Sequence, residues 1–365
     1  MLDKLDSIIY INQTRGTLIH HCLEDIMGQI GLFDVENKLS ELSAMGDPLE
    51  KLDKAINWNH FKPILNKAFR KERKSNAGRP PFDYLMMFKV LVLQTMYGLS
   101  DAQVQFQIID RHTFKRFLGI RDESQIPDEK TVWAFREALT LAGTVKKLFE
   151  KFERDLSAAG YKAQKGQIVD ASFVEVPRQR NTRDENDQIT KGITPDAWID
   201  KPSKLNQKDV DARWTKKNDE TFYGYKNHVN VDVKNKLVRE YSVTAANVHD
   251  SKEFKKLLDK ENTGKGVWAD SAYRSEDAEK LLKARGLKSH IHRKSYRNRP
   301  LNDFQIKRNT DKSRIRARVE HVFGWMEGKV GSLIRSIGQH RAAARIGLMN
   351  LAYNMNRYRY LASIA

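Results

Sequence analysis

The chain has 365 residues, 40% of them hydrophobic and 31% charged, which predicts a folded protein with room for two or three domains. Its 65 Lys and Arg residues against 47 Asp and Glu residues give a formal net charge of +18, so we expect polyanionic partners, nucleic acid before an anionic membrane surface. The single cysteine excludes intrachain disulfides and a cysteine-based zinc site. The most apolar stretch, residues 84–97, is too short to span a bilayer, and the N-terminal sequence is unlike a signal peptide. We therefore expect a cytoplasmic protein without a membrane partner.

The positive charge is concentrated near the C-terminus. From Lys283 onward the sequence contains 19 basic and 4 acidic residues, a difference of 15. A generic soluble protein has no reason to concentrate its charge in this way. The pattern therefore predicts that the last quarter of the chain contributes to binding a polyanion.

The first 160 residues have the apolar periodicity of helices. Within them, the segment 80–110 opens with two prolines, becomes apolar, stops at Gly98 and restarts at Ser100, which predicts two helices joined by a tight turn. Such a pair is either a DNA-reading helix-turn-helix or a plain αα-hairpin, and the sequence leaves both open. The basic run at 67–81 is either a solvated linker or an arm that binds phosphate.

A change of period near residue 165 predicts a second domain that contains a sheet. Residues 166–176 are apolar and β-branched on both faces, as in a central strand, and residues 221–233 and 236–247 predict a hairpin. The polar stretch 178–220 between them lacks apolar periodicity. We expect it to be an insertion that becomes ordered only on binding.

The remaining segments complete a mixed α/β architecture. Strands are predicted at 267–269 and 288–292, and helices at 275–285 and 311–329, so the sheet is expected to be flanked by helices. The expected domains are an all-helical one over 1–160, an α/β one over 161–330 that includes the insertion 178–220, and a basic helical tail over 331–365.

Two strands of this domain carry an aspartate. Asp270 directly follows the strand 267–269, where open α/β folds keep their chemistry, although a single acid there is equally well explained as a turn residue. Asp170 lies inside the otherwise apolar strand 166–176, where Asp is rare and seldom buried unless it is paired or bound to a metal. An edge position or a capping hydrogen bond is the alternative for Asp170.

A third carboxylate, Glu320, lies on the predicted helix 311–329, away from the apolar stripe that faces the core. Arg316 and Gly324 lie one turn away on either side. The stripe consists of Ile315, Val319, Val322 and Met326, and a further face gathers Arg314, Arg318, Trp325 and Lys329. This helix therefore combines a core face, an acid and a basic face that suits an anionic partner. A solvated Glu320 that pairs with Arg316 is the alternative.

Two strand aspartates and one helix glutamate form a donor set for hard divalent cations. Mg²⁺ and Mn²⁺ bind a few carboxylates and retain waters for a substrate phosphate. Two such ions about 4 Å apart activate the attacking oxygen and stabilise the leaving oxygen of an in-line displacement. Three clustered carboxylates would repel one another without metal. Asp170, Asp270 and Glu320 thus predict a site for Mg²⁺ or Mn²⁺, with two ions, and the basic surroundings predict binding of DNA.

Six stretches of the sequence occur together in one protein family. They are GRPPFDYLMMFKVLVLQTMYGLSDAQ, VDASFVEVPRQRNTRDEN, DVDARWTKKNDETFYGYKNHV, TAANVHDS, WADSAYRS and RARVEHVFGWME. Each is weak alone, but together they are specific and extend over nearly the whole chain. The sequence resembles the DDE transposases of bacterial insertion sequences, most closely the insertion-sequence-five branch. The resemblance implies an RNase H-like catalytic domain, with Asp170, Asp270 and Glu320 as the metal-binding triad and Arg316 as the arginine before the glutamate.

The resemblance also implies partners and a reaction. The expected activity is cleavage at the ends of an insertion sequence and joining of the 3′-OH to target DNA, by a homodimer assembled on double-stranded DNA and associated with the nucleoid. The helical domain 1–160 would serve DNA binding or dimerisation. DNA contacts are expected from Arg314, Arg316, Arg318, Trp325, Lys329 and Lys226. Two alternatives stay open: a metal-dependent nuclease of the same fold that does not join strands, and a non-catalytic DNA-binding regulator, against which the intact triad argues.

The chain departs from its relatives around the glutamate. They carry a Tyr three residues before the arginine and a Lys seven residues after the glutamate, whereas this sequence has Ser313 and Glu327, with Lys329 nearby. The shorter Arg-x-x-x-Glu core is kept, so the triad assignment stands. The departure leaves open how the DNA strands are held and whether cleavage passes through a hairpin intermediate.

Several lesser features have two interpretations. The dipeptide His249-Asp250 is better explained by a strand end and an N-cap at Asp250 than by metal binding or catalysis. Trp198 and Trp214, which are unusual in a polar insertion, either anchor it on the core or stack on an unpaired base, and we favour anchoring. Lys226 alternates with apolar residues along a strand and is as well suited to phosphate contact as to a structural role.

Overall fold

The computed structural model of this chain describes residues 34–69, 80–217, 219–331 and 333–364. Helix α1 (Asp34–Ala44) lies in a unit that ends at Asp47, and Pro48–Ala365 form a second compact unit, to which all the following features belong. Most of the predicted basic run 67–81 lies outside the described residues. No described helix combines the length and the apolarity that a membrane crossing demands.

The helices that precede the sheet confirm the all-helical prediction for this part of the chain. They are α2 (Pro48–Ala55), α3 (Lys62–Phe69), α4 (Tyr84–Met96), α5 (Asp101–Asp110), α6 (His112–Leu118), α7 (Glu129–Leu141) and α8 (Thr144–Ala158). The predicted pair is α4 and α5, and Ser100 begins α5 with a complete capping box to Gln103. In the turn between them Gly98 has φ +63°, and a Cβ there would lie 2.4 Å from the backbone oxygen of Lys329. The turn therefore requires glycine on both counts.

A mixed sheet forms the centre of the second half of the chain. Its strands are β1 (Gln167–Glu175), β2 (Arg213–Lys217), β3 (Glu220–Asp232), β4 (Val238–Ala245), β5 (Gly266–Ala269) and β6 (Lys288–Ser289). β3 pairs antiparallel with β1 on one side and with β2 and β4 in succession on the other, whereas β1, β5 and β6 run parallel. The predicted strands and hairpin are confirmed, but the last strand is only two residues long, shorter than the predicted 288–292.

The polar insertion 178–220 is folded in the structure, which corrects the expectation that it becomes ordered only on binding. It contains α9 (Arg183–Thr190), α10 (Asp196–Ile199), α11 (Pro202–Leu205) and strand β2. Trp198 is fully buried, and its Nε1 donates a 2.5 Å hydrogen bond to Glu185, which also pairs with Lys204 at 2.9 Å. Anchoring is therefore confirmed for Trp198, whereas Trp214 remains 42% exposed beside Tyr223.

The helices after the sheet differ from the prediction in one place. α12 (Phe254–Leu257) and α13 (Glu276–Ala284) precede α14 (Asp303–Arg316), α15 (Glu320–Val330) and α16 (Gln339–Ser363). The single helix predicted at 311–329 is thus two helices, because a 3₁₀ turn at Ala317–Val319 separates α14 from α15. Apolar spacing alone does not reveal the break, since Ile315, Val319 and Val322 keep the stripe across it.

Two apolar cores cover the faces of the sheet. The larger joins the helices before the sheet to α15, α16 and one sheet face, and the smaller joins α12 and α13 to the other. The C-terminal helix α16 is a core element as well as a basic one: Asn350 exchanges hydrogen bonds with Asn227, and Asn354 bonds both the N–H and the carbonyl of Val238. The arginines of α16 are therefore carried by a helix that packs into the core.

Candidate active site

The two strand aspartates lie side by side in the sheet. In the parallel pair of β1 and β5, Val169 is opposite Ala269, so the next residues, Asp170 and Asp270, occupy neighbouring positions at the same edge. Asp170 lies on the same face as Ile168, which belongs to the larger core and so faces α15 and α16. Both aspartates are partly buried. Two carboxylates at this spacing repel each other unless a cation lies near them.

Asp170 is held by two donors. Its Oδ1 accepts a hydrogen bond from the N–H of Ala171 at 2.9 Å, and its Oδ2 accepts one from Nη1 of Arg316 at 2.5 Å. Burial raises the pKa of Asp170 above its usual range, and Asp270 adds to the rise, while Arg316 lowers it without cancelling the effect. The net rise means that the negative charge at this position is incompletely compensated by the chain.

Asp270 also has a structural role. Its Oδ1 accepts a 2.8 Å hydrogen bond from the N–H of Ala272 and so caps the 3₁₀ turn Ser271–Tyr273. The turn-residue interpretation is thus correct as far as it goes. It uses one carboxylate oxygen, and the other makes no hydrogen bond or ion pair within the described residues.

Glu320 occupies a different environment from the two aspartates. It is the first residue of α15, its side chain is exposed, and within the described residues it makes no hydrogen bond or ion pair. Arg316 pairs with Asp170, so the alternative in which Glu320 pairs with Arg316 is wrong. Among the residues that the structure describes, no group of three or more His, Cys, Asp or Glu side chains is close enough together to hold a metal ion. The structure therefore brings Asp170, Asp270 and Arg316 together and leaves Glu320 outside that group.

A buried polar cluster that the sequence did not predict lies close to the aspartates. Nζ of Lys226 is 2.8 Å from Oδ1 of Asp250, and the fully buried His228 lies 3.9 Å from the same oxygen. Lys226 is only 8% exposed, so its charge is used within the protein. The helical turn at this point is capped by His249, through Nδ1, and Asp250 is not the cap that the sequence suggested. The dipeptide His249-Asp250 was the sequence signal that could have indicated this cluster. Its aspartate forms a buried ion pair with Lys226.

Tyr273 connects this cluster electrostatically to the two aspartates. Burial raises the pKa of its phenol well above the usual range, and the nearby charges of Asp250, Asp170 and Asp270 raise it further. Its hydroxyl is buried, and among the described residues it has no hydrogen-bond partner. Tyr273 is therefore a neutral, unused donor beside an acidic group.

A basic border surrounds the other side of Asp270. The backbone carbonyl of Ile291 accepts hydrogen bonds from Lys312 at 2.7 Å and from Arg274 at 3.2 Å. The next residue is His292, whose backbone N–H donates a hydrogen bond to the carbonyl of Ala269. Its ring Nε2 lies 3.4 Å from the hydroxyl of Ser313. Burial, together with Arg316 and Lys312, lowers the pKa of His292. The sequence departure at Ser313 is thus in contact with this border.

The predicted DNA-contact residues on α14, α15 and the 3₁₀ turn between them fall into two groups. Arg314 and Lys329 are exposed, and Arg314 pairs with Asp311 on its own helix, at 3.4 Å. Arg318 donates a 2.7 Å hydrogen bond to the carbonyl of Val233, and Trp325 packs edge-on against Tyr353 with ring centroids 5.7 Å apart. The first group is accessible to a ligand, whereas the second contributes to packing.

Comparisons with known proteins identify the family of the chain. A family model described as a transposase DDE domain matches residues 161–355, more than half of the chain, and a second one, described as a transposase domain (DUF772), matches residues 37–138. Among solved structures, the chain is similar to a piggyBac transposase in a synaptic complex with hairpin DNA, at 13% sequence identity and a TM-score of 0.45. That similarity covers 87% of this chain and 76% of the other.

Proposed function

The chain belongs to the DDE transposases of the insertion-sequence type, metal-dependent DNA-binding enzymes with an RNase H-like fold, and on this premise we propose that Asp170, Asp270 and Glu320 are its metal ligands. The observation that carries the proposal is the placement of Asp170 and Asp270 at neighbouring positions of two parallel strands. We further propose two Mg²⁺ or Mn²⁺ ions and membership of the insertion-sequence-five branch. When bound, such ions activate the attacking oxygen and stabilise the leaving oxygen.

The residues present fit a divalent cation. Mg²⁺ binds through one or two carboxylates together with waters and substrate oxygens, and Asp170 and Asp270 supply that number. The raised pKa of Asp170 supports the proposal, since burial and Asp270 both oppose its ionisation and a nearby cation would favour it. The Nε of Arg316 is buried and, among the described residues, without a hydrogen-bond partner. We propose that this N–H donates to a phosphate oxygen once Arg316 leaves Asp170.

Glu320 would complete the triad by a local movement. It begins α15 directly after the 3₁₀ turn Ala317–Val319, four residues from Arg316. We propose that DNA and metal draw Arg316 from Asp170 to a phosphate, and that the short turn lets Glu320 approach the two aspartates. The 3₁₀ geometry is weaker than that of an α-helix, so a change there has a low energetic cost.

The DNA partner is proposed to be the terminal inverted repeats and then the target DNA, bound by a homodimer. Arg314, Arg316 and Lys329 are the proposed phosphate contacts, while Arg318 anchors the 3₁₀ turn between α14 and α15 and Trp325 packs α15 against Tyr353. Lys226, buried on Asp250, would position that acid near the site and contribute to binding only if the pair opened.

The test uses DNA that carries the inverted repeats flanking the gene, incubated with the full-length protein in Mg²⁺, Mn²⁺, Ca²⁺ or EDTA. We expect cleavage and strand transfer with Mg²⁺ or Mn²⁺ and neither with EDTA or Ca²⁺. Full strand transfer in EDTA would disprove the metal mechanism. Cleavage of flanked ends without any joined product would identify the nuclease alternative, and binding without cleavage would identify the regulator.

A further inference from the structure

A cleft of about 620 Å³ lies away from the acidic site. Three elements of the fold each contribute one arginine to its lining. Arg136 comes from α7, Arg335 from the segment between α15 and α16, and Arg345 from α16. Its other lining residues include Gln94, Ser100, Asp101, Val330 and Ile334. None of these residues belongs to the metal site.

The charges in this cleft do not balance. Asp101 accepts two hydrogen bonds from Arg136, at 2.6 and 2.7 Å, and a third from Gln94 at 2.5 Å. Within the part of the chain that the structure describes, Arg335 and Arg345 make no hydrogen bond or ion pair. Three guanidinium groups therefore share one carboxylate.

Burial makes this imbalance costly for Arg345. Burial, and then repulsion by Arg136, lower the pKa of Arg345 to about 10, while Asp101 opposes the change. A guanidinium with a lowered pKa still carries its charge at neutral pH, and Arg345 is half-buried, so an anion in the cleft would stabilise it. Arg335 is exposed at the rim and can reach a ligand without rearrangement of the core.

The distance from the cleft to the aspartates follows from β1. For Glu320, which lies outside the aspartate group, α15 gives a separate distance of about 15 Å, ten residues at 1.5 Å each, to Val330 in the cleft wall. Along β1, five residues separate Asp170 from Glu175, or about 17 Å, and the carbonyl of Glu175 accepts a 2.8 Å hydrogen bond from the N–H of Ile334 in the cleft wall. With a rise of about 3.4 Å per base pair, this spacing corresponds to four or five base pairs of duplex.

We infer that the cleft of Arg136, Arg335 and Arg345 binds a backbone phosphate of double-stranded DNA, four or five base pairs from the phosphate held at Asp170 and Asp270. The inference rests on the proposed function, because it takes the scissile phosphate to lie at those aspartates. Arginine suits this role because its planar fork donates two parallel hydrogen bonds to phosphate oxygens. The hydroxyl of Ser100 and the free N–H groups at the start of α5 lie in the same wall.

The test is the salt dependence of duplex binding by the full-length protein in EDTA, where no cleavage occurs. Arg335→Gln and Arg345→Gln are each expected to reduce the slope of log K against log salt by about 0.9, the value for one lost phosphate contact. Asp101→Asn removes the one acid, so we expect tighter binding and a steeper slope. A purely structural role predicts the opposite, since this change breaks the pair with Arg136 and would weaken binding.

The matched control is Arg341→Gln, on the same helix as Arg345. Arg341 pairs with Glu137 at 2.6 Å and does not line the cleft, so its replacement should leave the slope unchanged. The inference is overturned if Arg335→Gln, which removes an exposed and unpaired side chain, leaves the slope at the wild-type value. It is also overturned if inorganic pyrophosphate protects Arg335 from chemical modification by phenylglyoxal and duplex DNA does not.

Failure of this inference is distinguishable from failure of the proposed function. If the aspartates are not the metal site, Asp270→Asn will still cleave, whatever the slopes show. If only the cleft is misassigned, the slopes will be unchanged while Asp270→Asn still abolishes cleavage.

Discussion

Nη1 of Arg316 lies 2.5 Å from Oδ2 of Asp170, so the chain's own cation holds the carboxylate that we assign to the metal. The two side chains are 27% and 13% exposed, and at this degree of burial the attraction between them is only partly screened by water. If Asp170 is a metal ligand, a metal ion and Arg316 would compete for it until a phosphate gave Arg316 another partner.

This competition predicts opposite effects of Arg316→Gln on binding and on catalysis. Without DNA, Mn²⁺ should bind the variant about tenfold more tightly, a difference of about 1.4 kcal/mol, because the competing cation is gone. Cleavage should fall by about 100-fold, since a donor to the phosphate is lost. Free Mn²⁺ measured by electron paramagnetic resonance reports the first effect, and Arg316→Lys, which keeps the charge, is the control. Unchanged or weaker Mn²⁺ binding by the glutamine variant would contradict the competition.

Asp270→Asn separates chemistry from folding. Asn is as good a cap as Asp, so the variant should keep the hydrogen bond from Ala272 and the stability of the wild type. Cleavage should fall by several orders of magnitude because the metal loses a charged ligand. Binding of terminal-repeat DNA in EDTA should be equal or tighter, since one carboxylate less repels the phosphate. Near wild-type cleavage by a folded sample would leave Asp270 with its turn role only.

Glu320→Gln should abolish cleavage without affecting stability. The side chain is exposed and unbonded within the described residues, so the free energy of unfolding should change by less than about 0.5 kcal/mol. Glu327→Gln, two turns along the same exposed side, is the matched control and should cleave normally. Urea unfolding and a cleavage assay on the same preparations decide the matter. Equal activity of the two variants would remove Glu320 from the triad.

The sequence predicted the parts of the site that depend on strands and missed those that depend on side-chain pairing across the fold. Asp170 and Asp270 could be found because each interrupts or ends an apolar run. Lys226 and Asp250 are each noticeable in the sequence, but their pairing could not be predicted, since 24 residues separate them. The insertion was misjudged because it is held by a few scattered buried residues, among them Trp198 and Ile189, and by a capping box, and neither feature produces periodicity.

Removing α16 should abolish folding, and it should not merely weaken DNA binding. Its buried residues form part of the larger core, and Asn354 satisfies both backbone groups of Val238. Termination after Gly338 should give a protein without a cooperative thermal transition. Termination after Ser363, which removes only the exposed Ile364 and the last residue, should leave the transition unchanged. A truncated chain that melts cooperatively near the wild-type temperature would show that the helix is dispensable.

His228 should make the protein sensitive to mild acid. Burial lowers its pKa to about 4 from an ordinary value of 6.5, against the opposing effect of Asp250. Between these values the unfolded chain takes up a proton that the native protein does not, so stability is full above pH 6.5 and falls as the pH drops toward 4. The loss is about 2 to 3 kcal/mol at pH 4.5. The free energy of unfolding of His228→Gln, measured in urea, should fall correspondingly less between pH 7 and pH 4.5 than that of the wild type. Identical losses in the two proteins would disprove the assignment of the acid sensitivity to His228.

The packing of α16 also governs how this protein is made. The hydrogen-bond partners of Asn227 and Val238 lie 123 and 116 residues further along the chain, on α16. The ribosome therefore synthesises the sheet, and the helices that precede it, well before α16 can pack on them. During that interval the nascent chain exposes an apolar sheet face, a state in which aggregation or chaperone capture competes with folding. A late frameshift or a stop codon before α16 would therefore release a truncated, aggregation-prone chain and not a partially active enzyme.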